Sequence, residues 1–384
     1  MNFAERTRWD LAPSPLIQKF NQLKDKGVSL LELTESNPTC AGFSYPKEIL
    51  KALSSPENLI YSPDPKGMPT ARKIIARYYA AKGVRVLPEQ IILTASTSEA
   101  YSFIFRLLAN PQDQILAPRP SYPLFDYLAS LNDIALVDYP LHYEKEWSLD
   151  VEAIRNKINP LTQAILLVSP HNPCGHFVKY HELAGLNELA VPIIADEVFS
   201  DYGYSDDPRR VATLAGNDKV LTFTLSGVSK VLGLPQMKLS WIVVSGPPKD
   251  VRQALGRLEM ISDTYLSVST PAQHALKSWF AAKDKIQSQI RSRLNSNRNV
   301  LQGLLSQAPS YQYLESEGGW YAVIRAPQTI QEEDRVSALL EKDHVWVHPG
   351  YFFDFPREAY LVASLLTPAE IFRKGLEKIL HKKY

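Results

Sequence analysis

A chain of 384 residues, 45% of them hydrophobic, is long enough for two domains with substantial cores. Its 42 Lys and Arg against 41 Asp and Glu leave no field to draw in nucleic acid or an anionic membrane. The start lacks a signal-peptide pattern, no apolar run is long enough to cross a bilayer, and Cys40 and Cys174 make no disulfide framework, so a cytoplasmic location is expected.

The first forty residues predict one helix, about Pro15 to Lys26, and an extended piece from Leu31 to Thr34. From about Gln90 to Gly246, strand-like runs alternate with amphipathic ones. The strands are expected at Gln90–Thr94, Gln114–Ala117, Ala164–Val168, Pro192–Ala195, Val220–Leu225 and Leu239–Ser245. Several are continuously apolar, as strands buried on both faces should be. Between them, Ser98–Leu108 and Lys179–Leu189 read as helices. This rhythm predicts a mainly parallel sheet with helices on both sides, and ligands at the carboxyl ends of its strands.

Beyond Ser269-Thr270-Pro271, a cap followed by proline, the composition predicts one long helix to about Gln307, with room for a kink. Strands at Trp320–Ile324, Val345–His348 and Tyr360–Leu365 precede a last helix, Pro368–His381. The fold expected is α/β: a three-layer αβα large domain, residues 43–295, with a small α+β domain made from both chain ends, 1–42 and 296–384.

Each strand end carries polar residues with both an ordinary and a chemical reading. Ser96, Thr97, Ser98 and Glu99 form a capping box, yet the same helix start offers N–H groups and hydroxyls to a phosphate. Tyr122 is a loop tyrosine that could also stack on a flat ring. The Asn172-Pro173 turn places an amide at the sheet rim. His171, Cys174, His176 and His181 match no usual zinc spacing, and no metal is expected. Asp196 ends a core strand, where a carboxylate could equally return the chain to water or keep a pyridine nitrogen protonated. Lys230, in Ser226-Gly227-Val228-Ser229-Lys230, ends another. A desolvated amine there can lose its proton and form a Schiff base with an aldehyde cofactor.

Taken in order, these elements resemble the class I and II aminotransferases, pyridoxal-phosphate enzymes of fold type I. The resemblance runs from Glu35-Ser36-Asn37-Pro38-Thr39 to the final strand. It implies pyridoxal 5′-phosphate on Lys230, Asp196 at the pyridinium, Asn172 at the phenolic oxygen and Tyr122 stacked on the ring. It further implies a phosphate cup of Ser96, Thr97, Ser98, Ser229 and Ser226, with Lys238 in place of an arginine. Tyr61, followed by Gly67-Met68-Pro69 and Arg72, matches the tyrosine that reaches the neighbouring subunit's phosphate, which implies a homodimer. The expected reaction is amino transfer between an amino acid and a 2-oxo acid. A lyase, decarboxylase or racemase on the same fold is the alternative, and a non-catalytic relative a more distant one.

The chain departs from the family pattern at four places. Phe199 stands where a tyrosine donates to the phenolic oxygen, so the imine should hold its proton to higher pH. Lys238 keeps the charge of an arginine without its fork. Gly227 replaces a serine. Val362 occupies the place of the arginine that grips the substrate carboxylate, with Arg357 as the nearest replacement and Arg325, Arg6 and Arg8 as more distant ones. His171, Trp9, Phe352, Phe353 and His348 are candidates for lining the substrate pocket or for packing.

Overall fold

The computed structural model of the chain describes residues 2–357 and 359–381. A short first strand, β1 (Leu31–Glu32), is followed by an eight-stranded sheet. That sheet contains β2 (Ile91–Thr94), β3 (Gln114–Arg119), β4 (Ala135–Tyr143), β5 (Trp147–Leu149), β6 (Thr162–Val168), β7 (Ile193–Asp196), β8 (Thr222–Gly227) and β9 (Ser240–Ser245). Their spatial order is β2-β9-β8-β7-β6-β3-β4-β5. The pairs β4–β3, β3–β6, β6–β7 and β7–β8 are parallel. β9 runs against both its neighbours, which leaves β2 parallel to β8. The carboxyl ends of β2, β3, β6, β7 and β8 therefore converge on one rim.

Alternate residues of these strands enter two different cores, because successive side chains of a strand point to opposite faces. Ile92, Ile115, Leu166, Ile194 and Phe223 pack against the helices Thr97–Leu108, Leu124–Leu131 and Pro248–Tyr265. Ile165, Leu167, Ile193 and Ala195 face the other way, beneath the helix Tyr180–Glu188. Burial on both faces explains the unbroken apolar runs.

The remaining strands build a smaller layer: β10 (Gln312–Leu314), β11 (Tyr321–Arg325), β12 (Val345–Trp346), β13 (His348–Pro349) and β14 (Tyr360–Ser364). Four of them form an antiparallel sheet in the order β10-β11-β14-β13, whereas β12 pairs in parallel with β1 and ties the two chain ends together. The single strand expected over Val345–His348 is thus two strands in two sheets, divided at Val347. The long helix expected from Thr270 is likewise two, Thr270–Ala281 and Lys283–Leu305, divided at Ala282. β4 and β5, and the helices Pro69–Ala81, Pro248–Tyr265 and Glu332–Asp343, have no counterpart in the expected elements.

A buried polar cluster joins the small layer to the large one. Glu317, in the β10–β11 connection, accepts from Arg210 Nε at 2.6 Å and pairs with Lys179 Nζ. Its other oxygen stands 3.5 Å from His176 Nδ1, and His176 Nε2 lies 3.0 Å from Glu182. Close approach here requires glycine: a Cβ on Gly175, at φ +75°, would meet Ser316 Cβ at 2.4 Å. Burial alone would raise the Glu317 carboxyl, but His176, Lys179 and Arg210 overcome it and hold the pKa down at about 2.

Candidate active site

The five converging strand ends surround one cavity of about 310 Å³, within the size range of small-molecule sites. After β2 the chain turns at Ser96, whose Oγ accepts from the Glu99 N–H at 3.1 Å, and the helix begins at Thr97. Glu99 reaches back to the Ala95 N–H at 2.7 Å, one residue earlier than the capping-box reading expects. Ser96, Thr97 and Ser98 all line the cavity, so capping geometry and an anion-binding helix start coexist.

The loop after β3 contributes Tyr122, and the loop after β6 contributes Asn172, whose side-chain oxygen is buried and unpartnered. β7 ends in Asp196, where Oδ1 accepts from the Val198 N–H at 3.0 Å and Oδ2 from the Tyr101 hydroxyl at 2.8 Å. Burial pushes Asp196 above the usual carboxylate range, against the pull of those donors and of Lys230. After β8, Ser229 and Lys230 enter the same space. Burial lowers the Lys230 amine to about 8, Asp196 opposing it in part. Its backbone is held by the Tyr202 hydroxyl, which donates to the Lys230 carbonyl at 2.6 Å.

Lys238 completes the polar end. Its backbone lies in the left-handed region at φ +48°, an arrangement that costs an L residue roughly 1 kcal/mol. Gly227 sits directly opposite Ser240 in the β8–β9 register, and a Cβ on Gly227 would come within 2.2 Å of Ser240 Oγ. Ser240 lines the cavity, so a hydroxyl from the neighbouring strand occupies the room a serine at 227 would use.

Of the residues singled out from sequence, Lys230, Asp196, Ser96, Thr97, Ser98, Tyr122, Asn172, Ser229 and Lys238 share this cavity. Ser226 does not line it: the side chain is buried within β8, its hydroxyl unpartnered. Tyr61 lies elsewhere, 76% exposed, in a shallow depression with Asp64, Gly67 and Leu266. Arg72 organises that turn by donating to Gly67 O at 2.8 Å and Pro88 O at 2.9 Å.

Phe199 is buried edge-on to Trp320, with 5.2 Å between ring centroids. Val362 is 1% exposed, between Val323 on β11 and His348 on β13. Arg357 is exposed, Arg325 bonds Gln312, Arg6 bonds Asp133 and Arg8 bonds Glu5. Trp9 packs on Tyr127 at 5.4 Å, and His171 is buried away from the cavity with both ring nitrogens unpartnered. His348, Phe352 and Phe353 form a ring cluster behind the cavity.

Tyr101, Tyr202, Ser240, Ser36 and Tyr321 escaped sequence reading. Only the i+4 spacing of Tyr101 from Thr97 hinted that it shares a face with the helix start.

The family model for aminotransferase class I and II matches residues 29–373. The glutamate-pyruvate aminotransferase AlaA of Escherichia coli is 31% identical over 89% of this chain and 87% of its own. The alanine aminotransferase of Mycobacterium tuberculosis is 25% identical over 95% and 88%. Among solved structures, an aminotransferase from Escherichia coli superposes with TM-score 0.88 at 27% identity, covering 99% of this chain and 97% of that one. Alanine aminotransferase from Pyrococcus furiosus superposes at 0.89 over 98% of both chains, its 24% identity speaking to fold alone.

Proposed function

The chain belongs to the class I and II aminotransferases and is a pyridoxal 5′-phosphate-dependent transaminase, and we propose that the cavity around Lys230 is where amino groups pass between an amino acid and a 2-oxo acid. One observation carries this assignment: a buried amine lowered to about 8 shares a single cavity with a buried carboxylate and a hydroxyl-lined helix start. These groups suit the cofactor's three demands, an anion site, a partner for a ring nitrogen and a nucleophilic amine. The lyase, decarboxylase or racemase alternative is not favoured, since the relatives found are aminotransferases.

When bound, the cofactor supplies an aldehyde carbon that takes up an amino group and a ring that withdraws electrons from the bond being broken. Thr97 and Ser98 at the helix start, Ser229, Ser240 and Lys238 would hold its phosphate. Asp196 would keep the proton on the ring nitrogen, positioned for it by Tyr101 and the Val198 N–H. Tyr122 would flank the ring, and Asn172 would complete its hydrogen bonds with the amide whose oxygen is unpartnered. Lys230 Nζ would first hold the cofactor and then, released, accept the α-proton from the substrate and deliver it to the cofactor carbon that takes up the amino group. A pKa near 8 leaves a substantial neutral fraction for that task at physiological pH.

The same reading takes the chain as a large domain over 43–295 with a small one from 1–42 and 296–384, acting as a cytoplasmic homodimer. Leu59, Ile60 and Tyr61 are 90%, 66% and 76% exposed, and Tyr61 shares its depression with Leu266. Such apolar exposure is what a partner subunit would cover. Among the described residues no helix is long and apolar enough to cross a membrane.

Adding an amino donor without any 2-oxo acid tests the assignment. The bound cofactor's absorbance should convert once, with one equivalent of 2-oxo acid released. Release of ammonia or carbon dioxide instead would refute it.

A further inference from the structure

We propose that the cavity receives the carboxyl end of its amino donor with neutral groups, the hydroxyls of Ser36 and Tyr321 set in a wall of rings. The donor class selected is then an amine with an uncharged apolar or aromatic body, to which an α-carboxylate adds little affinity. This specificity rests on the transaminase reading above.

Of these rings Phe199 and Tyr321 line the cavity, and Trp320, Phe353 and His348 back them. Lys230 Nζ lies 4.8 Å from the Trp320 ring centroid and 5.5 Å from that of Phe199. Phe199 meets Tyr321 edge-on at 6.4 Å, Tyr321 meets Phe353 at 6.3 Å, and Phe353 meets His348 at 5.9 Å. Tyr321 and Ser36 both line the cavity. Behind Tyr321, Val323 and Val362 pack together with Phe353.

No positive charge faces this wall among the lining residues beyond Lys230 and Lys238, both committed to the cofactor in the reading above. Arg119, at the end of β3, is held by Asp126 at 2.9 Å and Asp138 at 3.1 Å, with Asp354 at 3.6 Å. Burial keeps His348 neutral, its pKa lowered to about 4. Burial also carries the Tyr321 hydroxyl up to about 12, with Tyr122 and the Glu35 carboxylate adding to the rise.

Calorimetry on the cofactor-loaded enzyme tests this with 3-phenylpropanoate and 3-phenylpropanamide, which carry no amine and enter no reaction. The two dissociation constants should agree within about fivefold, and added salt should leave the acid's affinity unchanged. An acid that binds more than about a hundredfold tighter than the amide and weakens with salt would show a charge-assisted grip and overturn the proposal. Binding of neither compound overturns it too, since the rings would not be the recognising surface. Tyr321→Phe should weaken acid and amide alike; weakening of the acid alone counts against the proposal. Absence of amino transfer from every donor would fall on the transaminase reading and leave these affinities as measured.

Discussion

The Tyr101 hydroxyl donates a 2.8 Å hydrogen bond to Oδ2 of Asp196, and Tyr101 stands one helical turn after Thr97. The helix whose first turn lines the hydroxyl-rich end of the cavity therefore also fixes the Asp196 carboxylate. The bond helps keep Asp196 ionised, so its loss should raise the Asp196 pKa further. For Tyr101→Phe, the acid limb of the kcat/KM profile should move to higher pH, with about a tenfold loss at neutral pH. An unshifted limb would reduce Tyr101 to a packing residue.

Replacing Lys230 by Ala should remove transamination by a factor of at least about 10³, because the proposed reading assigns holding the cofactor and moving the proton to one amine. Its amine is already disfavoured by burial, so the melting temperature of the cofactor-free variant should not fall. Rapid-mixing absorbance and a thermal melt check the two halves of this statement.

Gly227 and Ser240 behave as a pair. Gly227→Ser should destabilise the protein by about 1–3 kcal/mol, because its Cβ would sit 2.2 Å from Ser240 Oγ. Adding Ser240→Gly should recover most of that loss and return cofactor affinity to within a few-fold. Urea unfolding and a cofactor titration on the two variants measure both. A double variant as unstable as the single one would show that the strands do not exchange this hydroxyl.

Phe199 offers a ring edge where a hydroxyl could donate to the cofactor's phenolic oxygen. Restoring it with Phe199→Tyr should lower the pH at which the bound cofactor's absorbance titrates. The ring is buried against Trp320, so the new hydroxyl must find a partner or cost stability. Spectra recorded across pH for both proteins decide the direction.

Glu317 predicts an acid weakness. Its pKa is about 2 in the folded chain against 4.5 unpaired, so it contributes stability above about pH 4.5 that fades as pH falls toward 2. Glu317→Gln should lower the melting temperature at pH 7, and the gap from the parent protein should narrow steadily below pH 4.5. A gap independent of pH would mean that its charge contributes nothing.

The parallel core was readable because β3, β6, β7 and β8 are buried on both faces and carry near-continuous apolar runs. β4 hid because Asp138, Pro140 and His142 interrupt its pattern, and its neighbour β5 is only three residues long. The break at Ala282 lacks proline or glycine to announce it. Much of the cavity was legible because each residue follows its own strand end. Tyr101 and Ser240 were not: one depends on a contact across 95 residues, with only its spacing from Thr97 as a local hint, and the other on the β8–β9 register, which leaves no local trace.

The Glu317 cluster also sets how the molecule can move. With Lys179, Arg210 and His176 converging on one side chain, the β10–β11 connection is pinned to the large layer close to Gly175 and Gly318. A rocking of the small layer over the cavity would have its fulcrum there, where displacement is smallest. The swing would grow with distance from the pin, so the lever arm belongs to the chain ends joined through β1 and β12.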